Sequence, residues 1–258
     1  MLTKESVFDC LSGLGIKPTD TVMIHTSMRA IGAVDGGCDG LIDFFRDYLS
    51  DGLFLVPTHT WANVNKKQPI YDVRSTEPCI GALPTVAAFR KDGVRSLHPT
   101  PSVTAFGVRA EEFVKGEEKA VTPCSKGGAW RRLYDEDAWI LLLGVGLDKN
   151  TYIHAVDEIL DLEGKLGDAT ELTVIDKEGR EYKTSFRPHS HPTSQYFVNY
   201  KKPLDELSVL SYSTLGNASV TAMRARELTR VLLHIWKSAE WDLTEEHREI
   251  PEPYYKCK

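Results

Sequence analysis

Apolar positions along the chain follow two rhythms. Residues Thr3 to Leu14 place Val7, Phe8, Leu11 and Leu14 on one helical stripe, with Thr3 where a cap belongs and Gly13 and Gly15 at the end. TVMIH (21–25) is a short apolar run, and after the Gly36-Gly37 break a second helical stripe carries Leu41, Ile42, Phe44, Phe45, Tyr48 and Leu49. LFLVP (53–57) predicts another buried strand, residues 83–89 a helix, and WILLLGV (139–145) the most apolar strand of the chain. Apolar strands without alternation, separated by helices, predict an α/β fold with a mostly parallel central sheet flanked by helices.

After residue 165 the rhythm changes. ELTVID (171–176) and REYKTSF (180–186) alternate and are joined by Lys177-Glu178-Gly179, which predicts an antiparallel hairpin. A last helix is expected from about Ala218 to Lys237, with Val220, Met223, Val231, Leu232 and Ile235 on its apolar side. No repeat or long linker interrupts the pattern, so residues 1–258 are expected to form one domain, with a smaller antiparallel subdomain over 165–215.

Composition narrows the function classes. The chain has 258 residues, 31 Lys plus Arg against 37 Asp plus Glu, and a net charge of −6, so no global positive field exists to hold nucleic acid or anionic lipid. Residues 154–182 alone hold nine acids against three bases. That stretch reads either as a solvated acidic face or as a funnel for a cationic substrate. Five cysteines without paired short spacing, no signal-like N-terminus and no apolar run long enough to span a bilayer make a reduced, cytoplasmic protein the expectation. Either a monomer or a homodimer fits.

Ligands of an open parallel sheet bind beyond the carboxyl ends of its strands. His25, His59 and His154 fall there. The segment His25 to Gly32 offers hydroxyls at a helix start, suited to a phosphate or carbonyl oxygen. In Arg95 to Ser102, prolines at 99 and 101 hold the backbone extended and the side chains of Arg95, Ser96, His98 and Ser102 rigid; either Arg95 grips a phosphate by its planar fork or the prolines only shape a loop. If 150–158 is helical, His154 shares a face with Asp157 and Glu158, and a carboxylate there can orient an imidazole as a general base.

The segments HTSMRAIG (25–32), LFLVPTHTW (53–61), GALPTVAAFRKDGVRSLHPTPSVTAFG (81–107), WRRLYDEDAWILLLGVGLDKNTYIHAVDE (130–158) and LGNASVTAMRARELTRVL (215–232), in that order, resemble the aminoglycoside 3-N-acetyltransferase family over nearly the whole chain. The resemblance implies acetyl transfer from acetyl-CoA to a primary amine of an aminoglycoside, without a metal. It assigns Thr26, Ser27, Met28, Arg29, Ala30, Ile31, Gly32, Arg95, Ser96 and Ser102 to acetyl-CoA. It makes His154 the catalytic base with Asp157 or Glu158, and His25 nearby. The acceptor is expected among Trp61, Tyr71, Asp72, His98, Asp157 and Glu158. Where the family usually has Glu three positions after the catalytic His, this chain has Asp157.

On this reading transfer is direct, in a ternary complex, with the oxyanion held by the 26–30 loop or the Ser102 hydroxyl. Cys124 offers a rival acetyl-enzyme route, although no histidine lies near it in sequence. A metal-dependent hydrolase built on His25, His59, His98 and Asp157 is a second reading, and a non-catalytic binder of coenzyme A or a cationic sugar a third. His189 and His191 form an HxH expected at the surface or substrate rim, remote from the strand-end cluster.

Overall fold

A computed structural model describes residues 1–190, 193–239 and 249–256. Ten strands run in chain order: β1 (Thr21–Thr26), β2 (Leu53–Pro57), β3 (Ile70–Asp72), β4 (Val94–Arg95), β5 (Val103–Phe106), β6 (Trp139–Leu143), β7 (Thr170–Ile175), β8 (Glu181–Phe186), β9 (Ser211–Leu215) and β10 (Ala218–Arg224). Seven of them form one sheet in the order β4-β5-β2-β1-β6-β10-β9, and β3-β7-β8 form a second.

The α/β architecture is the expected one, but its parallel character is confined to the centre. β1 pairs in parallel with β2 and β6, whereas β5 on β2, β4 on β5, β10 on β6 and β9 on β10 are antiparallel. The three runs that read as unbroken apolar strands are those three central ones, buried on both faces. Val22, Ile24, Phe54, Val56, Leu141 and Leu143 turn to one apolar layer with the helices Lys4–Gly13, Gly37–Tyr48 and Ala82–Phe89. Met23, Leu53, Leu55, Ile140 and Leu142 turn to the other, where the helices Ala129–Asp135, Tyr152–Ile159 and Ala225–Ser238 pack.

The expected last helix is corrected at its start. Residues 218–224 form β10 and the helix begins only at Ala225. Val220 and Met223 have helical spacing, yet Ala218, Val220 and Ala222 also alternate, and pairing with β6 takes the second pattern. The subdomain expected over 165–215 contracts to the β7–β8 hairpin, which accepts β3 in parallel from far upstream; β9 belongs to the large sheet. Phe197, Tyr200 and Leu204, also inside the expected subdomain, pack into the main core.

Two close approaches set the floor of the site. Gly144, at the exit of β6 with φ +67°, lets the short helix Met28–Ile31 come so near that a β-carbon there would lie 2.3 Å from Cβ of Ala30. Gly216 likewise has φ +61°, and the β9–β10 turn it makes is tied to that helix by Asn217 N–H donating to the Ile31 carbonyl. Among the described residues no helix is long and apolar enough to cross a membrane. Cys10, Cys38, Cys79 and Cys124 are free, and Cys257 lies outside the described residues.

Candidate active site

A cavity of about 860 Å³ opens beyond the carboxyl ends of β1, β2 and β6. His25 and Thr26 come from the end of β1, His59 from just after β2, Asn150, Thr151 and His154 from the segment after β6, and His189 from the exit of β8. Trp61, Val64, Ile80, Leu172 and Phe186 make much of its wall apolar, while Lys66, Lys149 and Asp148 supply charge. A second depression, of about 500 Å³, is lined by Lys201, Lys202, Asp205, Glu206 and Glu249, whose charges pair with one another in Lys201–Asp205 and Lys202–Glu249.

Two imidazole–carboxyl pairs stand side by side in the cavity wall. Nδ1 of His154 lies 3.4 Å from Oδ2 of Asp157, one turn later on the same helix. That is an ion-pair separation rather than a hydrogen bond, and neither carboxyl oxygen of the buried Asp157 has a hydrogen-bond partner. Nε2 of His189 lies 3.1 Å from Oε1 of Glu158, which also accepts from the Cys124 N–H (2.9 Å) and, at Oε2, from the Thr122 hydroxyl (2.6 Å). Burial pushes the Glu158 carboxyl up, but these donors outweigh it and hold it below its ordinary value. The two rings face each other with centroids 4.2 Å apart. His154 thus pairs with Asp157, and Glu158 belongs to His189.

Behind them sits a drier pair. His25 stacks on Trp130 (centroids 6.1 Å apart), His59 meets the same indole edge-on at 5.5 Å, and the indole N–H donates to the Pro101 carbonyl. Burial lowers the His25 pKa to about 3 and that of His59 well below its usual value, so both are neutral. Nε2 of each is buried without a hydrogen-bond partner. Neutral rings carry one N–H and no charge near pH 7, and the nitrogen without the proton can accept a hydrogen bond from a ligand.

Other expected site residues are engaged elsewhere. The Arg95 guanidinium is buried, donates to the carbonyls of Thr76 (2.7 Å), Val73 and Thr58, and lies over the Tyr71 and Phe89 rings. Ser96 Oγ accepts from the N–H groups of His98 and Val103, and Ser102 Oγ donates to the Thr58 carbonyl. These three brace the 95–103 loop from inside and are not among the residues that line the cavity. Tyr71 is fully buried with its hydroxyl donating to the Ser96 carbonyl, and Asp72 is held by Arg74 and by N–H groups of its own turn. His98 donates to the Thr122 carbonyl and accepts from the Thr100 N–H, so its ring is a loop brace and the alternative metal set with His25, His59 and Asp157 is not assembled. Of the acceptor residues expected, Trp61 borders the cavity directly and Asp157 and Glu158 stand behind its histidines.

The 26–32 loop is a single helical turn capped by Ser27, whose Oγ accepts from the Ala30 N–H. Thr26 borders the cavity, Met28 and Ala30 pack against the apolar layer and Arg29 points outward.

His189 is not remote. The β7–β8 hairpin folds back and sets its exit against the helix that carries His154, so the distant HxH supplies a cavity residue; His191 lies outside the described residues. The same fold-back gives Cys124 a histidine neighbour that its sequence surroundings lack. Cys124, Glu158 and His189 place a ligand-type atom each within 4.8 Å of one another, the one such group among the described residues. The Cys124 thiol is buried, and burial with the nearby carboxylates pushes its pKa well up, which disfavours the thiolate that a nucleophile or a metal ligand needs. Sequence reading also missed Lys66 and Lys149, ordinary surface lysines until the fold brings both to the border of one cavity.

Residues 23–236 match the model of the aminoglycoside 3-N-acetyltransferase family. Aminoglycoside N(3)-acetyltransferase III of Serratia marcescens is 26% identical over 197 residues, covering 70% of this chain and 73% of that protein. The solved structure of aminoglycoside acetyltransferase AAC(3)-Xa superposes with a TM-score of 0.78 at 24% identity, covering 89% of this chain and 90% of the other. AAC-IIIb, solved as a binary complex with CoASH, gives 0.76 at 20% identity over 88% and 93%. With the matched span running from β1 to the helix 225–238 and taking in every residue around the cavity, the chain belongs to the aminoglycoside 3-N-acetyltransferase family.

Proposed function

We propose that the protein transfers an acetyl group from acetyl-CoA to the 3-amino group of the 2-deoxystreptamine ring of an aminoglycoside, directly and within a ternary complex. The observation that carries this reading is His154: an imidazole on the cavity wall with a buried carboxyl group at its Nδ1, which leaves Nε2 to take a proton from an attacking amine. Asp157 orients the ring and stabilises the imidazolium that forms. The binary complex of AAC-IIIb with CoASH supports coenzyme A as the second ligand.

The cavity fits such a ligand. Its volume and its partly apolar wall suit an extended pantetheine chain, and Lys66 and Lys149 offer cations for phosphates. Thr26 and the neutral rings of His25 and His59 bring polar atoms to the thioester end. Thiol release from acetyl-CoA with gentamicin, kanamycin or tobramycin tests the reading, and coenzyme A binding without release would reduce the protein to a binder.

One observation favours another amine as acceptor. Among the described cavity residues Asp148 is the one acid, and it is paired with Lys149 at 2.8 Å, whereas a polycationic antibiotic needs several carboxylates. Faster release with a monoamine than with any aminoglycoside would establish that alternative.

A further inference from the structure

The reaction proposed above moves two protons, and of the four imidazoles that line the cavity two, His154 and His189, stand side by side with a carboxyl group each. In the balanced reaction R–NH3+ and CH3CO–S–CoA give R–NH–COCH3, HS–CoA and H+. One C–N bond forms, the C–S bond breaks with its electron pair staying on sulfur, and two N–H bonds of the ammonium break. One of those protons ends on sulfur and the other in solvent. An imidazole already holding the first proton cannot take the second.

We propose that His189, held by Glu158, is a second catalytic residue: it takes the proton that turns the bound ammonium into an amine, and leaves His154 to take the one released during attack. This rests on the N-acetyltransfer reading. Both rings border the same cavity, 4.2 Å apart, and each has its own carboxyl group, so each can carry a positive charge without drawing on the other's partner. Glu158 is fixed by Thr122 and Cys124 before His189 reaches it, which is the arrangement of a group built to orient a ring. The groups facing His189 are His154, Glu158 and Asp157, with Cys124 beside Glu158. Burial lowers the His189 pKa, and the neighbouring His154 ring adds to this while Glu158 opposes it, so a proton taken by His189 is readily passed to solvent. His154 then delivers its proton to the departing sulfur.

The test is thiol release by wild type, His189→Gln and Glu158→Gln, with coenzyme A binding by calorimetry as the check that each variant is folded. With gentamicin at about pH 7, where its amines are protonated, each variant is expected to lose at least about 10-fold in kcat with KM for acetyl-CoA unchanged. The loss should shrink to within about 3-fold as the pH rises towards the pKa of the amine, and with methoxyamine, which is neutral at about pH 7. A loss equal at every pH and for both acceptors, or no loss at all, overturns the role of His189. Wild-type protein that binds coenzyme A but releases no thiol with either acceptor overturns this inference and the N-acetyltransfer reading together.

Discussion

Oδ2 of Asp157 lies 3.4 Å from Nδ1 of His154, and this carboxyl group is almost wholly buried and accepts no hydrogen bond. Removing the ring therefore does two things. His154→Ala is expected to lower turnover by at least about 10²-fold, with coenzyme A binding retained. It is also expected to destabilise the fold by roughly 3 kcal/mol, because a buried acid is left without its partner. Asp157→Asn added to His154→Ala should return most of the stability and none of the activity. Thermal melts beside thiol-release rates separate the two effects, and a double variant no more stable than His154→Ala would show that the pair carries no such coupling.

The histidines of the drier pair predict how the fold responds to acid. His25 is held neutral, with its pKa lowered from 6.5 to about 3 by burial, and His59 is shifted the same way. Below the unfolded value the unfolded chain binds a proton that the folded chain refuses, so stability falls as pH drops from 6.5 towards 3 and is insensitive to these groups above that window. Each such group contributes up to about 1.4 kcal/mol per pH unit. His25→Phe keeps a ring against Trp130 and removes the titration. Its melting temperature should fall less steeply between about pH 6 and pH 4 than that of the wild type, and parallel curves would refute the assignment.

The pattern of apolar residues was enough to place β1, β2 and β6 to within a residue or two, because strands buried on both faces leave an unbroken apolar signature. It failed where a segment satisfied two periods at once. Residues 218–224 fit a helix locally and a strand globally, and the neighbouring β6 decided between them. Of the site, His154 and Asp157 were visible because they share one helical turn. His189 was not, because 35 positions of chain separate it from His154 and only the fold-back of the β7–β8 hairpin joins them. Arg95 misled for the opposite reason. A cation among prolines reads as a surface anion grip, whereas here both Nη atoms donate to main-chain carbonyls and the guanidinium lies over two aromatic rings, with Nε buried and without a hydrogen-bond partner.

Arg95 accordingly predicts a stability defect rather than a binding one. Arg95→Lys removes the planar fork that reaches Thr76, Val73 and Thr58, and a point charge cannot replace it over the Tyr71 ring. A loss of about 2–4 kcal/mol is expected in denaturant unfolding, with KM for acetyl-CoA within about 3-fold of wild type in the folded variant. A large rise in KM at unchanged stability would restore Arg95 to the cofactor site.

The phosphates of acetyl-CoA are instead expected at Lys66 and Lys149, the two lysines on the cavity wall. Both lysines are exposed, but Lys149 is paired with Asp148 at 2.8 Å, so Lys66→Ala should have the larger effect. Together Lys66→Ala and Lys149→Ala are expected to raise KM for acetyl-CoA by about 10-fold and leave kcat unchanged, since neither group touches the imidazole pair. Raising salt from about 0.05 to 0.5 M should weaken acetyl-CoA binding to the wild type more than to the double variant, because screening acts on charges that the variant no longer has. The acidic stretch 154–182 gives the contrary sign for a cationic acceptor. Asp157 and Glu158 are buried behind imidazoles, and Asp176 is bonded to Arg180 at the far turn of the hairpin. What remains to draw a polycation is diffuse surface charge, so kcat/KM for gentamicin should fall with salt less steeply than kcat/KM for acetyl-CoA. The reverse order would show that the acidic stretch, and not the lysine wall, sets the field at the cavity mouth.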